Sequence, residues 1–239
     1  MKSLRSYARI VFFTGAGMSA ESGVPTYRGK GGIWDQYDYR EVACQNAFER
    51  DPQKVLVFHE MRRKAVLSCQ PHVGHEIVTI IEKHHPQFTV VTQNIDGMHQ
   101  RAGTRHVIEL HGSLWRLRCP VHGTFDDIGE TYRHTTCPHC KSWLRPDITW
   151  FEDAMNEQAV CAAVDAISTC NLFVAIGTSG VVWPAAGFPQ LARDSGAWCI
   201  EINPEASGLS HIYHETIRLP ASAALREFPF QNNVTDGLF

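Results

Sequence analysis

The chain has 239 residues, 44% of them hydrophobic and 20% charged, with a formal net charge of −3. That balance supplies a core and excludes an intrinsically disordered chain. With no long basic run, it also argues against a surface that tracks nucleic-acid phosphates.

The first predicted element is the apolar run Ile10–Phe13, read as a buried strand ended by Thr14 and Gly15. Gly15-Ala16-Gly17-Met18-Ser19-Ala20 then fits the G-x-G-x-x-G/A turn of a dinucleotide site. In that pattern Gly15 takes a backbone conformation closed to other residues, Gly17 admits a pyrophosphate, and Ala20 lets the next helix pack on its strand. The helix N–H groups would face the phosphates. Thr26–Gln70 interrupts the pattern with a Gly-rich loop, Gly29–Gly32, and a helical stretch near Pro52–Ser68. Further helices are expected over Val73–Lys83, Asn156–Ser168 and Ala185–Asp194. Strands are expected at Phe88–Val91, Val107–Leu110, Leu172–Ile176 and Trp198–Ile202, each running into small or polar residues.

This alternation predicts an α/β, Rossmann-like parallel sheet with helices on both faces, its ligand lying beyond the carboxyl ends of the strands. The large lobe would comprise about 1–28, 71–111 and 147–228. A smaller lobe would combine a helical insertion, 29–70, with a zinc-ribbon module, 112–146, and 229–239 would be a loosely held tail. A simple dehydrogenase should carry an acid about 20 residues past the glycines, where insertion sequence stands instead.

Of the eight cysteines, three fall in Cys119-Pro-Val-His122 and Cys137-Pro-His-Cys140, two knuckles separated by fourteen residues. Such spacing suits a tetrahedral structural zinc with no position left for a reactive water. His122 is the fourth ligand, with His134 or His139 as substitutes. The other five cysteines are scattered, as free thiols in a reducing compartment would be. No apolar stretch reaches membrane-span length, and the run after Met1–Arg9 is too short for a signal peptide. A cytoplasmic location is therefore expected.

Two polar motifs follow strands. Gln93-Asn94-Ile95-Asp96 can hold ribose hydroxyls and a carboxamide, although Asp96 could equally cap a following helix. His111, in His111-Gly112-Ser113, offers an imidazole able to take a proton near neutral pH.

Together these segments resemble the sirtuins, NAD-dependent protein lysine deacylases. Ile10–Arg28 is similar to their G-A-G-x-S-x-x-S-G-I-P-x-F-R signature, with Val24 for Ile and Tyr27 for Phe. Gln93–Asp96 resembles their Q-N-I-D motif. Leu144–Glu152 resembles L-R-P-x-V-V-x-F-G-E, with Glu152 where Gly is usual, and Gly177-Thr178-Ser179 with Pro184 and Ala185 resembles G-T-S-x-x-V-x-P-A. The likeness runs from Ile10 to about Phe228. It implies that an acyl-lysine carbonyl oxygen attacks C1′ of the nicotinamide ribose and nicotinamide leaves. His111 then deprotonates a ribose hydroxyl, and free lysine and 2′-O-acyl-ADP-ribose are released.

The resemblance also implies roles. Asn94 would orient the ribose and a water, and Asp96 would hold the carboxamide, with Gln93 and Ile95 beside them. Gly15, Ala16, Gly17, Ser19, Ala20 and Arg28 would lie along the phosphates and ribose, with Tyr27 covering C1′. Gly177, Thr178 and Ser179 would meet the phosphate and adenosine end. Asn203, Pro204 and Glu205 would meet the adenosine ribose, and Ala221 the adenine. Trp150 and Phe151 would border the substrate peptide.

On the insertion helix, Phe58-His59-Glu60-Met61-Arg62-Arg63 resembles the stretch where acid-selective sirtuins carry Tyr-x-x-Arg. There a phenol and a guanidinium hold the carboxylate of succinyl- or malonyl-lysine. Arg62 keeps that place and His59 replaces Tyr. His59 could donate one hydrogen bond to the carboxylate or open room for longer acyl groups; alternatively Arg62-Arg63-Lys64 is a solvated basic face. The expectation is a monomeric deacylase with weakened selectivity for acidic acyl groups. It would act on acylated-lysine proteins, with NAD as co-substrate and one structural zinc, and without nucleic acid or membrane partners. Mono-ADP-ribosyltransfer and a non-catalytic NAD-sensing scaffold are the alternatives.

Overall fold

The computed structural model describes residues 3–27 and 31–228. Arg28, part of the Gly29–Gly32 loop and the expected tail at 229–239 lie outside them.

The strands are β1 (Ile10–Thr14), β2 (Phe88–Thr92), β3 (Val107–Glu109), β4 (Gly112–Cys119), β5 (Gly123–Asp126), β6 (Arg145–Ile148), β7 (Leu172–Ile176), β8 (Trp198–Ile202) and β9 (Glu215–Ile217). Six of them form one sheet in the order β3-β2-β1-β7-β8-β9, every neighbouring pair parallel. β1 and β7 are buried along their whole length, the pattern of strands covered on both faces. β9, an edge strand of three residues, has too little pattern to be legible in the sequence.

The helices are α1 (Gly17–Ala20), α2 (Ile33–Gln36), α3 (Tyr39–Val42), α4 (Gln45–Arg50), α5 (Pro52–Leu67), α6 (Val73–His84), α7 (Met98–Ala102), α8 (Glu157–Ser168), α9 (Phe188–Asp194) and α10 (Ala221–Arg226). The alternation of β1 side chains fixes which helices go where. Phe12 faces Ile77, Val78 and Ile81 of α6 and Leu225 of α10. Val11 and Phe13 face Ala163 and Ile167 of α8 and Phe188 and Ala192 of α9. The sheet thus carries helices on both faces, as expected.

The longer helices start at sequence-encoded caps. The Asp51 carboxylate accepts from the Lys54 N–H at 2.9 Å, with Pro52 in the first turn, and Asn156 accepts from the Ala159 N–H at 3.0 Å. The segment read as a helix from Ala185 starts with a 3-10 turn, Ala185–Gly187, that runs into α9.

A second sheet, β5-β4-β6, is antiparallel. Its Leu114 and Leu117 share one core with Val42 of α3, Phe48 of α4 and Val55, Leu56, Phe58 and Val66 of α5. Ile148 and Trp150 join that core, so the boundary expected near 146 falls inside β6. The two insertions are locked together by Arg63. Its side chain is fully buried, its Nε donates to the Gly129 carbonyl at 2.7 Å, and one Nη reaches Asp127 Oδ1 at 2.7 Å. The Tyr132 and Trp115 rings flank the guanidinium at 4.3 and 5.6 Å. Arg62 is buried as well, so the solvated basic face is overturned: of Arg62-Arg63-Lys64, only Lys64 is exposed.

Candidate functional site

Parallel register builds the site. Thr14 of β1 lies level with Thr92 of β2 and Ile176 of β7, and Ile176 lies level with Ile202 of β8. The next residues, Gly15, Gln93, Gly177 and Asn203, therefore emerge side by side at the carboxyl edge. All four line a cavity of about 540 Å³, with Ala16, Gly17, Tyr27, Asn94, Ile95, His111, Thr178, Ser179 and Glu205. The small-lobe side supplies His59, Arg62, Trp150 and Phe151.

The glycines act differently from the expected pattern. Neither Gly15 nor Gly17 has a positive φ. A Cβ on Gly15 would lie 2.7 Å from the Gly177 carbonyl oxygen, and one on Gly17 would lie 2.7 Å from the Gly177 Cα. Gly177 itself has φ +62, and its Cβ would meet the Met18 nitrogen at 2.4 Å. These residues are glycine because two backbone turns press on each other.

α1 is a single turn, and the N–H groups of Gly17, Met18 and Ser19 are taken by main-chain carbonyls. Ala16 keeps its N–H without a main-chain acceptor among the described residues. Ala20 is exposed and does not mediate helix–strand packing. Ala20, Pro204 and Ala221 are not among the residues lining the cavity, and Ala221 is buried under the sheet.

Asn94 is held rigidly. Its side-chain amide donates to the Gly15 carbonyl at 2.9 Å and reaches Ser19 Oγ at 3.3 Å, which places Ser19 behind the cavity wall. The Asn94 N–H donates to Thr92 Oγ1 at 3.1 Å, and Thr14 Oγ1 donates to the same oxygen at 2.8 Å. Asp96 lies just behind the lining, buried, with Oδ1 accepting from the Met98 N–H at 2.9 Å. Asp96 is not the N-cap of α7, however: Gly97 holds that place, and the Asp96 carboxylate takes the first helical N–H from one residue before it. Burial pushes the Asp96 carboxyl up, opposed by the Met98 N–H and the Ser19 hydroxyl.

His111 ends the β3 edge. Its Nδ1 lies 3.0 Å from the Gln93 carbonyl oxygen. A carbonyl only accepts, so Nδ1 carries the proton and Nε2 keeps its lone pair. Burial holds the imidazole below its ordinary value, partly offset by the bond to Gln93. Gly112, at φ +77, makes the turn that follows, and a Cβ there would lie 2.0 Å from the Asp147 carbonyl oxygen.

On the other wall, Arg62 places its guanidinium 5.1 Å from the Tyr27 ring centroid, and its Nε has no partner among the described residues. Burial raises the Tyr27 phenol, and the positive charge of Arg62 counters it. His59 does not behave as expected. Its Nδ1 donates to the Val55 carbonyl at 2.8 Å, and its Nε2 accepts from the Trp150 indole N–H at 3.2 Å. Both nitrogens are committed, so His59 has no hydrogen bond to give a ligand carboxylate. Burial pushes it down to about 4, which keeps the ring neutral.

At the adenosine end expected for the ligand, the Asn203 side chain donates to the Thr178 carbonyl at 2.9 Å. The buried Glu201 holds the following loop by accepting from Ser210 Oγ and Arg218, both at 2.6 Å, and from Ser207 Oγ. Sequence reasoning missed Glu201, whose only signal is an acid within an apolar strand. It also missed Trp34, on the single-turn helix α2, and Trp183, in a turn, which line the cavity from segments too short or irregular to show a periodic pattern.

In the second sheet, Cys119, His122, Cys137 and Cys140 bring their ligand atoms within 4.8 Å of one another. Cys119 Sγ lies 3.5 Å from both Cys140 Sγ and His122 Nδ1, and Cys137 Sγ lies 3.5 Å from His122 Nδ1. Tetrahedral zinc with ordinary Zn–S and Zn–N bonds implies edges of roughly 3.5–3.8 Å, so the set fits. His134 and His139 are exposed and outside the group.

Comparison with known proteins agrees with this geometry. The Sir2 family model matches residues 15–184. An NAD-dependent protein deacylase of Aquifex aeolicus (strain VF5) is 40% identical over 226 residues, covering 91% of this chain and 92% of the relative. A Sir2 homologue mutant in complex with ADP-ribose superposes with a TM-score of 0.90 at 35% identity, covering 95% of this chain and 92% of the other. A Sir2 homologue–NAD complex gives 0.87 at 35% identity, covering 95% and 90%. From the sheet edge, the cysteine–histidine cluster and these likenesses together, the chain belongs to the Sir2 family.

Proposed function

We propose that this protein is an NAD-dependent protein-lysine deacylase. NAD is its co-substrate; the products are nicotinamide, free lysine and 2′-O-acyl-ADP-ribose. One observation carries the reading: an imidazole with an unprotonated Nε2 opens on the same cavity as Asn94 and the Gly15–Gly17 and Gly177 turns. His111 Nε2 is the proton acceptor for a ribose hydroxyl, and the Gln93 carbonyl keeps it in that tautomer. Asn94, with its amide tethered to Gly15, fixes the ribose, and Asp96 supports the carboxamide end from behind. Tyr27 covers the reacting face. The sheet lobe holds NAD and the acyl-lysine enters from the small lobe. Zinc held by Cys119, His122, Cys137 and Cys140 supplies a cross-link there, with no part in the chemistry.

Acyl preference is the finer part of the reading. With His59 committed to Val55 and Trp150, any selectivity for succinyl or malonyl groups falls to Arg62, whose buried Nε has no partner among the described residues. A charge-assisted hydrogen bond contributes about 1.5–3 kcal/mol. Arg62→Met should therefore lower the succinyl-to-acetyl rate ratio roughly tenfold or more. Competing succinyl-, acetyl- and long-chain acyl-lysine peptides in one NAD-dependent assay tests both levels. No NAD-dependent loss of any acyl group refutes the deacylase, and an unchanged ratio in Arg62→Met refutes the acid-binding role. The five cysteines outside the metal set, Cys44, Cys69, Cys161, Cys170 and Cys199, form no disulfide, which supports a reducing, cytoplasmic setting.

A further inference from the structure

Glu152 stands at the cavity mouth with φ +72, a conformation that non-glycine residues rarely adopt. Its carboxylate is exposed and forms no hydrogen bond or ion pair among the described residues. The adjacent acid differs: Asp153 accepts from Arg145 at 2.6 Å and from the Trp150 N–H at 3.0 Å, so its charge is neutralised. On another stretch of the same rim, Trp183 is 75% exposed. Its ring leans on Gly187, where an added Cβ would lie 3.3 Å from Trp183 Cζ3, and the indole makes no hydrogen bond among the described residues. Among the described lining residues the one Lys or Arg is Arg62, and it is buried. Among the described residues the free charge of Glu152 at the mouth is therefore negative, and the same cavity lining carries an open aromatic surface.

We propose that Glu152 and Trp183 form a rim subsite that selects a cationic side chain, Lys or Arg, flanking the acyl-lysine of the substrate. This deepens the deacylase reading and rests on it. A carboxylate attracts an ammonium or guanidinium by charge, and an indole face attracts it through the ring quadrupole. An acidic flank is repelled by Glu152, and an uncharged one gains only contact with the ring. An exposed ion pair combined with an exposed cation–π contact is worth roughly a three- to thirtyfold preference.

The test uses acetyl-lysine peptides that differ only in Arg, Ala or Glu at one flanking position. For wild type, Glu152→Gln and Trp183→Ala, kcat/KM is measured at saturating NAD, and peptide affinity is measured by fluorescence anisotropy with ADP-ribose present. At one or more positions Arg should exceed Ala, which should exceed Glu, by both readouts. The preference should shrink in high salt. Glu152→Gln should remove most of the Arg advantage and leave the share that Trp183 supplies, and Trp183→Ala should lower the advantage in part. Peptides cleaved by wild type without regard to flanking charge, or a preference undiminished in Glu152→Gln, overturns the subsite and leaves the deacylase standing. Peptides bound with the preference but never cleaved overturn the deacylase and leave the subsite standing.

Discussion

Arg63 couples the two insertions, and its removal has a large calculable effect. In Arg63→Met the Asp127 carboxylate, 3% exposed, loses its cation, and the Gly129 and Asp127 carbonyls lose their donors. Breaking one side of a buried, hydrogen-bonded ion pair costs about 3–5 kcal/mol, because the remaining charge stays buried. For a domain of this size each kcal/mol lowers the midpoint by roughly 2–4 °C, so thermal unfolding should begin on the order of 10 °C earlier. Pairing the substitution with Asp127→Asn removes the stranded charge, while the new amide oxygen can still accept from the Arg133 N–H that Asp127 Oδ2 engages at 3.0 Å. The double variant should recover about half of the loss, a coupling that a double-mutant cycle in urea measures. An Arg63→Met variant within about 1 kcal/mol of wild type, or a double variant as unstable as the two singles summed, would refute this reasoning.

Stability should also fall in mild acid. Burial pushes His59 and His99 down to about 4 and His75 down to about 2. The unfolded chain binds protons on these rings below about 6.5, while the folded chain resists until near 4 or lower. The stability they contribute is complete above 6.5 and is lost as pH falls, on the order of 1–2 kcal/mol per ring by pH 5. Urea titrations at pH 7 and 5 read it, and equal stabilities would contradict the buried, neutral assignments. Stripping zinc with a chelator should release stoichiometric metal to a colorimetric dye and lower the unfolding midpoint. A purified protein that carries no zinc and is unmoved by added zinc would rule out the structural site.

Legibility in the sequence followed the range of the interactions. Ile10–Phe13 reads as a buried strand because its signal is local, and the capped starts of α5 and α8 read well for the same reason. The sheet edge was legible too: strand ends carrying Gly15, Asn94, His111 and Gly177 do converge on one cavity. What escaped were contacts between distant segments. Gly17 is constrained by Gly177 rather than by a ligand alone. His59 looked available until Trp150, on another element, was seen to hold its Nε2. Arg63 looked solvated because its partner Asp127 lies in the other insertion. The helices α2 to α4 are too short to show a periodic pattern. Glu152 gave a real signal, since a residue in place of the usual Gly stands at a positive φ.

His111 bears the chemical argument, and mass spectrometry of the products from acetyl-lysine peptide and NAD puts it at risk. Wild type should yield deacylated peptide and acyl-ADP-ribose in equal amounts, whereas His111→Tyr should form both at least about a hundredfold more slowly, the usual loss with a general base. Product formation at the wild-type rate in His111→Tyr, or ADP-ribose attached to protein in place of free acyl-ADP-ribose, would contradict it.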